Sequence, residues 1–240
     1  MTADAFAGLT TAHVADACVR ADVPVRCGPA GTRPVAPSPG SGGEDFTGRV
    51  VGRVLPTRHV GSVDVFLEAF EQARPGDVLV VDNGGRLDEA CVGDLVVLEA
   101  KAAGLAGMVI WGLHRDTADI RAIGLPVFSL GSIPSGPLGV SARPPEALAS
   151  ARVGEWTVTR EDTVFADDDG VLFVPSDRVD DLAALAQGIR DTERGQAERV
   201  RVGESLRDQL AFAAFLKARR DDPSLTFRRH LRRLGGAIEE

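Results

Sequence analysis

Between Gly76 and Leu130 the chain alternates short, wholly apolar runs with longer mixed stretches, and this alternation constrains the fold more than any other feature. The runs are Val78-Leu79-Val80-Val81, Gly107-Met108-Val109-Ile110-Trp111 and Pro126-Val127-Phe128-Ser129-Leu130. They lack the polar alternation of a strand with one wet face, so they read as strands buried on both faces. Helices are expected between them. One covers 88–103, with Gly104 as its C-terminal cap, and a shorter one covers about 117–123. Strand, helix, strand, helix, strand argues for α/β layering, with loops at 82–86 and 112–116 at the margins of the sheet.

The flanking segments extend the pattern. Residues 9–21 read as a first helix capped by Thr10 or Thr11. Residues 22–48 are rich in Pro, Gly and Ser and read as a loop, with Gly40-Ser41-Gly42-Gly43 its most mobile part. Arg49 to Leu55 reads as a strand in which Gly52 marks a bulge. A helix is expected over 62–73. Residues 153–174 read as β-structure, with Asp167-Asp168-Asp169-Gly170 a solvated turn. After Pro175 the chain becomes helical over 177–216 and 224–234.

Composition excludes several classes. A formal net charge of -8 makes the chain a poor general binder of nucleic acid or anionic membrane. Tyr is absent, so the core must come from Val, Leu, Ile and Ala. Cys18, Cys27 and Cys91 form no CxxC pair, which points to reduced thiols and not to a zinc site or a disulfide framework. The N-terminus lacks a basic segment followed by an apolar one, and a cytoplasmic protein is expected. Leu95 to Leu113 carries Glu99, Lys101 and internal glycines and does not read as a membrane span.

Two regions after buried strands carry the chemistry, the first of them within the helical stretch. Gly93-Asp94-Leu95 follows the strand ending at Asp82, and Gly112-Leu113-His114-Arg115-Asp116 follows the strand ending at Trp111. An arginine can grip a carboxylate through two parallel hydrogen bonds. An aspartate can hold a hard divalent cation through oxygen. A 2-oxo acid calls for both, because its carboxylate and keto oxygens can chelate a metal that stabilises the enolate left when a C–C bond breaks.

The surrounding residues make the spacing specific. Leu9-Thr10-Thr11-Ala12-His13-Val14-Ala15-Asp16-Ala17, Arg74 through Asp82, Glu99 through Gly104, Leu125-Pro126-Val127-Phe128 and Asp169 through Pro175 together resemble the class II 4-hydroxy-4-methyl-2-oxoglutarate aldolase and RraA-like family. The resemblance covers roughly residues 9–175. It implies a swivelling β/β/α-type α/β domain over 1–175, with a C-terminal helical extension over 176–240 packing on a neighbouring subunit. It implies a homotrimer or homohexamer with active sites between subunits. It also implies site roles. Asp116 would be the direct Mg²⁺ or Mn²⁺ ligand, Arg115 would bind substrate, and Asp94 would hold a metal-bound water. Backbone N–H groups of Gly93, Asp94, Leu95 and Val96 would complete the carboxylate pocket. A C-terminal glutamate of the adjacent subunit would approach the metal, and Glu198 is the best match, with Glu193 and Glu204 close by.

The implied activity is that of a lyase. It would release pyruvate by retro-aldol cleavage of a 4-hydroxy-4-methyl-2-oxoglutarate-type substrate, decarboxylate oxaloacetate, or both. The alternatives are a protein-binding regulator of an RNase and a family member recruited to a different oxo acid. Two departures bear on the substrate: Trp111-Gly112 stands where the family often has Asp-Gly, and His114 stands where a small or apolar residue is usual. Other features carry plainer expectations. His13 is packed or capping, while His59 and His114 face solvent. The basic segment 217–233 is a solvated helix at a subunit contact. Asp82-Asn83-Gly84-Gly85 lacks the Lys-Ser/Thr of a phosphate loop.

Overall fold

The computed structural model describes residues 6–36 and 48–234; Gly40 to Gly43 and the tail from Gly235 lie outside the described residues. Its centre is a mixed eight-stranded sheet. The strands are β1 (Arg26–Cys27), β2 (Arg33–Pro34), β3 (Val50–Arg58), β4 (Val78–Asp82), β6 (Gly107–Trp111), β8 (Val127–Ser129), β11 (Asp162–Asp167) and β12 (Gly170–Pro175). They lie in the order β1-β12-β11-β3-β4-β6-β8-β2. β3, β4, β6 and β8 run parallel, and β12, β11 and β3 run antiparallel. β3 belongs to both halves: Val50 to Arg53 pair with β11, and Val54 to Arg58 pair with β4. Two smaller ladders lie outside the main sheet: β9 (Ala151–Val153) with β10 (Trp156–Val158), and β5 (Ala90–Val92) with β7 (Leu113–His114).

The apolar runs behave as two-faced strands. Leu79, Val81, Met108 and Ile110 face the helices α2 (Asp64–Glu71), α3 (Asp94–Ala102) and α4 (Thr117–Ile123), packing with Phe66, Val97 and Ile120. Val78, Val80 and Val109 face the other way, onto Val153, Val158, Val164 and Phe173. The result is a helix layer, a parallel strand layer and a second strand layer. A third core joins α1 (Thr11–Arg20) and α5 (Val179–Arg201) to the antiparallel half, with Val14, Cys18, Leu172, Leu182 and Ile189 buried together. The chain ends in α6 (Leu206–Gln209), α7 (Phe212–Asp221) and α8 (Phe227–Leu231), where Phe212, Phe215, Phe227 and His230 form an aromatic cluster.

Several expectations are corrected. The helix expected over 88–103 is two elements, because buried Ala90-Cys91-Val92 pairs with β7 and extended Gly93 (φ -124°, ψ -174°) stops the helix at Asp94. Gly52 is no bulge: its register with Val164 is regular, and a Cβ there would lie 2.3 Å from the Gly76 carbonyl oxygen. The 22–48 loop contributes β1 and β2. Asp167 is buried, and it accepts from the Thr11 N–H at 2.8 Å and the Thr11 hydroxyl at 2.7 Å, tying α1 to β11. His13 does cap: its Nδ1 accepts from Thr10 N–H at 3.0 Å while Thr10 Oγ1 accepts from His13 N–H. Among the described residues, no helix is long and apolar enough to cross a membrane.

Candidate active site

The β5–β7 ladder builds the site. Ala90 pairs with Leu113 and Val92 with His114, and the Arg115 N–H donates to Val92 O at 3.0 Å. Each strand is followed at once by a functional pair, so parallel pairing sets Gly93-Asp94 beside Arg115-Asp116. Asp116 Oδ2 lies 3.4 Å from Arg115 Nε and 3.5 Å from the Asp94 backbone nitrogen. Two glycines make room. A Cβ on Gly93 would fall 2.5 Å from Asp116 Oδ2, and one on Gly136 would fall 2.8 Å from Arg115 Nη1.

Gly93 is the N-cap of α3 and has no side chain to satisfy the first turn. The first helical bond is Val97 N–H to Gly93 O, so the Asp94, Leu95 and Val96 amides stand outside the helical ladder. Such a helix start favours an anionic group through its amides and its dipole. Gly93, Asp94, Leu95, Val96 and Arg115 all line one cleft of about 300 Å³, together with Val92.

Asp116 precedes α4 in an N-cap position yet makes no capping bond, and its backbone is left-handed (φ 60°, ψ 40°). An aspartate cap contributes about 1 kcal/mol, and the left-handed conformation costs roughly 1–2 kcal/mol for a residue with a Cβ. The carboxylate is thus turned away from its helix and toward Gly93. It is 35% exposed, and its partner Arg115 is 48% exposed. An ion pair that open contributes under about 1 kcal/mol, so folding stability does not explain the arrangement.

The donor set suits a hard divalent cation. Asp116 and Asp94 supply carboxylate oxygens at an accessible surface, and Mg²⁺ keeps several waters and needs few protein ligands. Among the described residues no cluster of three or more His, Cys, Asp or Glu side chains could hold a metal by itself. Within one chain, Glu198 stands on the exposed side of α5, paired with Arg201 at 3.1 Å. Glu193 meets His13 at 3.2 Å and Glu204 meets Arg199 at 3.6 Å. The structure therefore gathers Asp94, Arg115 and Asp116 and does not bring Glu198 to them within the chain.

Both histidines expected at the surface are buried. His114 bridges Ser129 Oγ (2.7 Å) and Thr117 Oγ1 (3.0 Å), fastening β7 to β8 and to the first turn of α4. His59 stacks on Phe66. Burial pushes both imidazoles below their ordinary range. Trp111 lines a second cleft of about 640 Å³ at the carboxyl ends of β3, β4 and β6, with Arg152 over its ring at 5.4 Å. It does not line the Asp94 cleft. The sequence alone puts His59 at the surface and Asn83 in a turn, and it gives no signal at Gly136. His59 and Asn83 directly follow β3 and β4, and the carboxyl ends of parallel strands are where α/β folds place ligands.

Comparisons with known proteins bear on the family and the fold. The sequence model of the RraA-like family, described as Aldolase/RraA, matches residues 11–173. Protein DlpA of Legionella pneumophila is 32% identical over 146 residues, which are 60% of this chain and 22% of that protein. A Halalkalibacterium halodurans protein provisionally named 4-hydroxy-4-methyl-2-oxoglutarate aldolase is 30% identical over 125 residues, 50% of this chain and 57% of that protein. The chain thus spans well under two thirds of either relative. A Streptomyces coelicolor structure titled as an unusual member of the RNase ES inhibitor RraA family superposes with a TM-score of 0.66 at 24% identity, covering 80% of this chain and 92% of that one. The RNA-processing inhibitor RraA from Thermus gives 0.53 at 25% identity, covering 63% and 85%.

Proposed function

The chain belongs to the RraA-like family, and from that premise we propose that it is a divalent-metal-dependent lyase acting on 2-oxo acids. The observation that carries the reading is the convergence of a helix start without an N-cap side chain, Gly93 to Val96, with Arg115 and with an Asp116 carboxylate that turns from its own helix to the Asp94 N–H. The substrates are 4-hydroxy-4-methyl-2-oxoglutarate-type acids, cleaved to pyruvate, and oxaloacetate, decarboxylated to pyruvate. The name of the Halalkalibacterium relative supports the first.

Each residue has a part. The amides of Asp94, Leu95 and Val96 receive the substrate carboxylate, and Arg115 grips the carboxylate and keto oxygens from the other side. Asp116 would hold Mg²⁺ or Mn²⁺, with Asp94 orienting water beside it. When bound, the cation supplies charge stabilisation to the keto oxygen as the C–C bond breaks. Asp94 can hold or move a proton at carbon 3 of the product.

The active unit is proposed to be a cytoplasmic homotrimer or homohexamer, in which Glu198 of an adjacent copy completes the site. Exposed Leu95 lines this cleft, exposed Leu98 lies one turn further along α3, and exposed Leu138 and Val140 line the larger cleft, which suits such a contact. Residues 1–175 are proposed as the catalytic domain and 176–240 as the helical extension. The assay is direct: incubate the chain with each substrate plus Mg²⁺ or plus EDTA and follow pyruvate. Metal-dependent pyruvate from either substrate is expected, and its absence from both defeats the reading. A second reading, a regulator binding an RNase, is supported by the Thermus neighbour's name. Retention of an RNase by immobilised protein, equal for wild type and Asp116→Ala, would favour it.

A further inference from the structure

His59 lines both clefts: the smaller with Asp94 and Arg115, and the larger beneath Trp111. Its backbone N–H donates to Asp82 O at 2.9 Å, which fixes it to the carboxyl end of β4. Its ring lies flat on Phe66, with centroids 5.2 Å apart and 1° between planes, and the residue is 6% exposed. Nδ1 sits 2.8 Å from Asn83 Oδ1. With the Asn83 amide oxygen toward the ring, Nδ1 carries the proton and Nε2 the lone pair, while the buried Asn83 Nδ2 has no hydrogen-bond partner among the described residues. Asn83 is itself held, its N–H on Trp111 O at 3.1 Å and its side chain against Gly112, where a Cβ would come within 2.9 Å. Nε2 has no hydrogen-bond partner among the described residues, and it is not sealed from solvent. A ring packed on one side, oriented through one nitrogen and open at the other has the arrangement of a general base with its orienting group.

Resting on the lyase reading above, we propose that His59 Nε2 takes the hydroxyl proton from carbon 4 of a bound 4-hydroxy-2-oxo acid. The proton passes from oxygen to Nε2, and the C4–O bond becomes a carbonyl. The C3–C4 bond breaks, and its electron pair moves to C3 and the adjoining keto group. The imidazolium proton then passes through water and Asp94 to C3, which restores neutral imidazole. One hydroxy-oxo acid becomes one 2-oxo acid and one carbonyl compound, and no oxidant or reductant is involved. Asp94 and His59 would then divide the work, Asp94 at carbon 3 and His59 at the carbon 4 hydroxyl.

Charged groups face the ring from several elements. Asp64 on α2 and buried Glu89 favour its protonation, and Arg86 opposes it. Glu89 is already engaged by Arg86 at 3.0 Å and by the Leu138 N–H at 2.8 Å. Burial outweighs these influences and holds the imidazole below its ordinary range, so at pH 7 its Nε2 is free to accept a proton.

The test compares two reactions of the full chain with Mg²⁺, because oxaloacetate decarboxylation has no hydroxyl proton to remove. His59→Gln should lower kcat for retro-aldol cleavage about 100-fold, with KM changed less than about threefold, and remove the acid limb of its pH profile. Decarboxylation should fall less than about threefold. Equal loss in both reactions, no loss in either, or a surviving acid limb would overturn the proposal. Asn83→Ala keeps the imidazole and should give a smaller retro-aldol loss, about tenfold. A wild type inactive on both substrates defeats the lyase reading itself. Nitrogen-15 NMR of the histidine rings needs no turnover: His59 should show a protonated Nδ1 and a bare Nε2, and the opposite tautomer overturns the assignment.

Discussion

At the scale of single residues, Asp116 combines a left-handed backbone with a carboxylate that makes no capping bond to its own helix. Residues held in such conformations against their own preference are found where function requires the geometry. Asp116→Gly should therefore raise stability by up to about 1 kcal/mol, because glycine adopts φ 60° freely, while abolishing metal-dependent turnover. Thermal melts and pyruvate release read the two effects separately, and a lowered melting temperature would contradict the strain. Gly93→Ala is the complementary change. The backbone there suits alanine, but the new methyl would displace Asp116 Oδ2. An activity loss of about 100-fold is expected with only a small change in melting temperature, since misplacing a reacting group by about 1 Å has that effect. The cysteines divide by burial. The Cys91 thiol is pushed up to about 12 by burial, and Cys27 is exposed. Iodoacetamide at pH 8 should label Cys27 in the folded protein and spare Cys91, as peptide mapping would show.

At the scale of elements, the parallel half of the sheet was legible because Val78 to Val81 and Gly107 to Trp111 are apolar without interruption and pack on both faces. β5 was not legible. Ala90-Cys91-Val92 continues into helix-forming residues with no Gly or Pro except Gly93, and only its pairing with β7, 22 or more positions downstream, makes it a strand. The same long-range pairing brings Asp94 to Asp116, so the sequence shows the residues of the site while the structure shows how they meet. His59 and His114 were misread for a related reason. A polar residue after a buried strand looks solvated until its partners Asn83, Ser129 and Thr117 are in place. Both buried imidazoles have pKa values lowered from 6.5, so the unfolded chain binds their protons first as pH falls. Stability from these groups is complete above about pH 6.5 and is lost as pH drops through that value toward the folded pKa values. The melting temperature should fall between pH 7 and pH 5, and His59→Gln should flatten that dependence.

At the scale of the whole molecule, α5 packs along α1 and buries Leu182, Ala186 and Ile189 in a core shared with β11 and β12. α6 to α8 lie beyond it, joined by contacts such as Gln209 Nε2 to Gln196 O at 3.2 Å. A chain ending after Arg201 should keep a cooperative melt, whereas one ending after Pro175 should not, because Leu182 and Ile189 each contribute about 1.5–3 kcal/mol. If copies associate around the active-site cleft, Leu98→Asp should shift the mass measured by light scattering toward the monomer, and an unchanged mass would place the contact elsewhere.

Whether Asp116 holds a divalent cation beside a carboxylate pocket is decided by titrating the chain with Mn²⁺ and following the free ion by electron paramagnetic resonance. About one Mn²⁺ should bind per chain, tightened by pyruvate, with binding lost in Asp116→Ala and the pyruvate effect lost in Arg115→Ala. Equal Mn²⁺ binding by wild type and Asp116→Ala would contradict it.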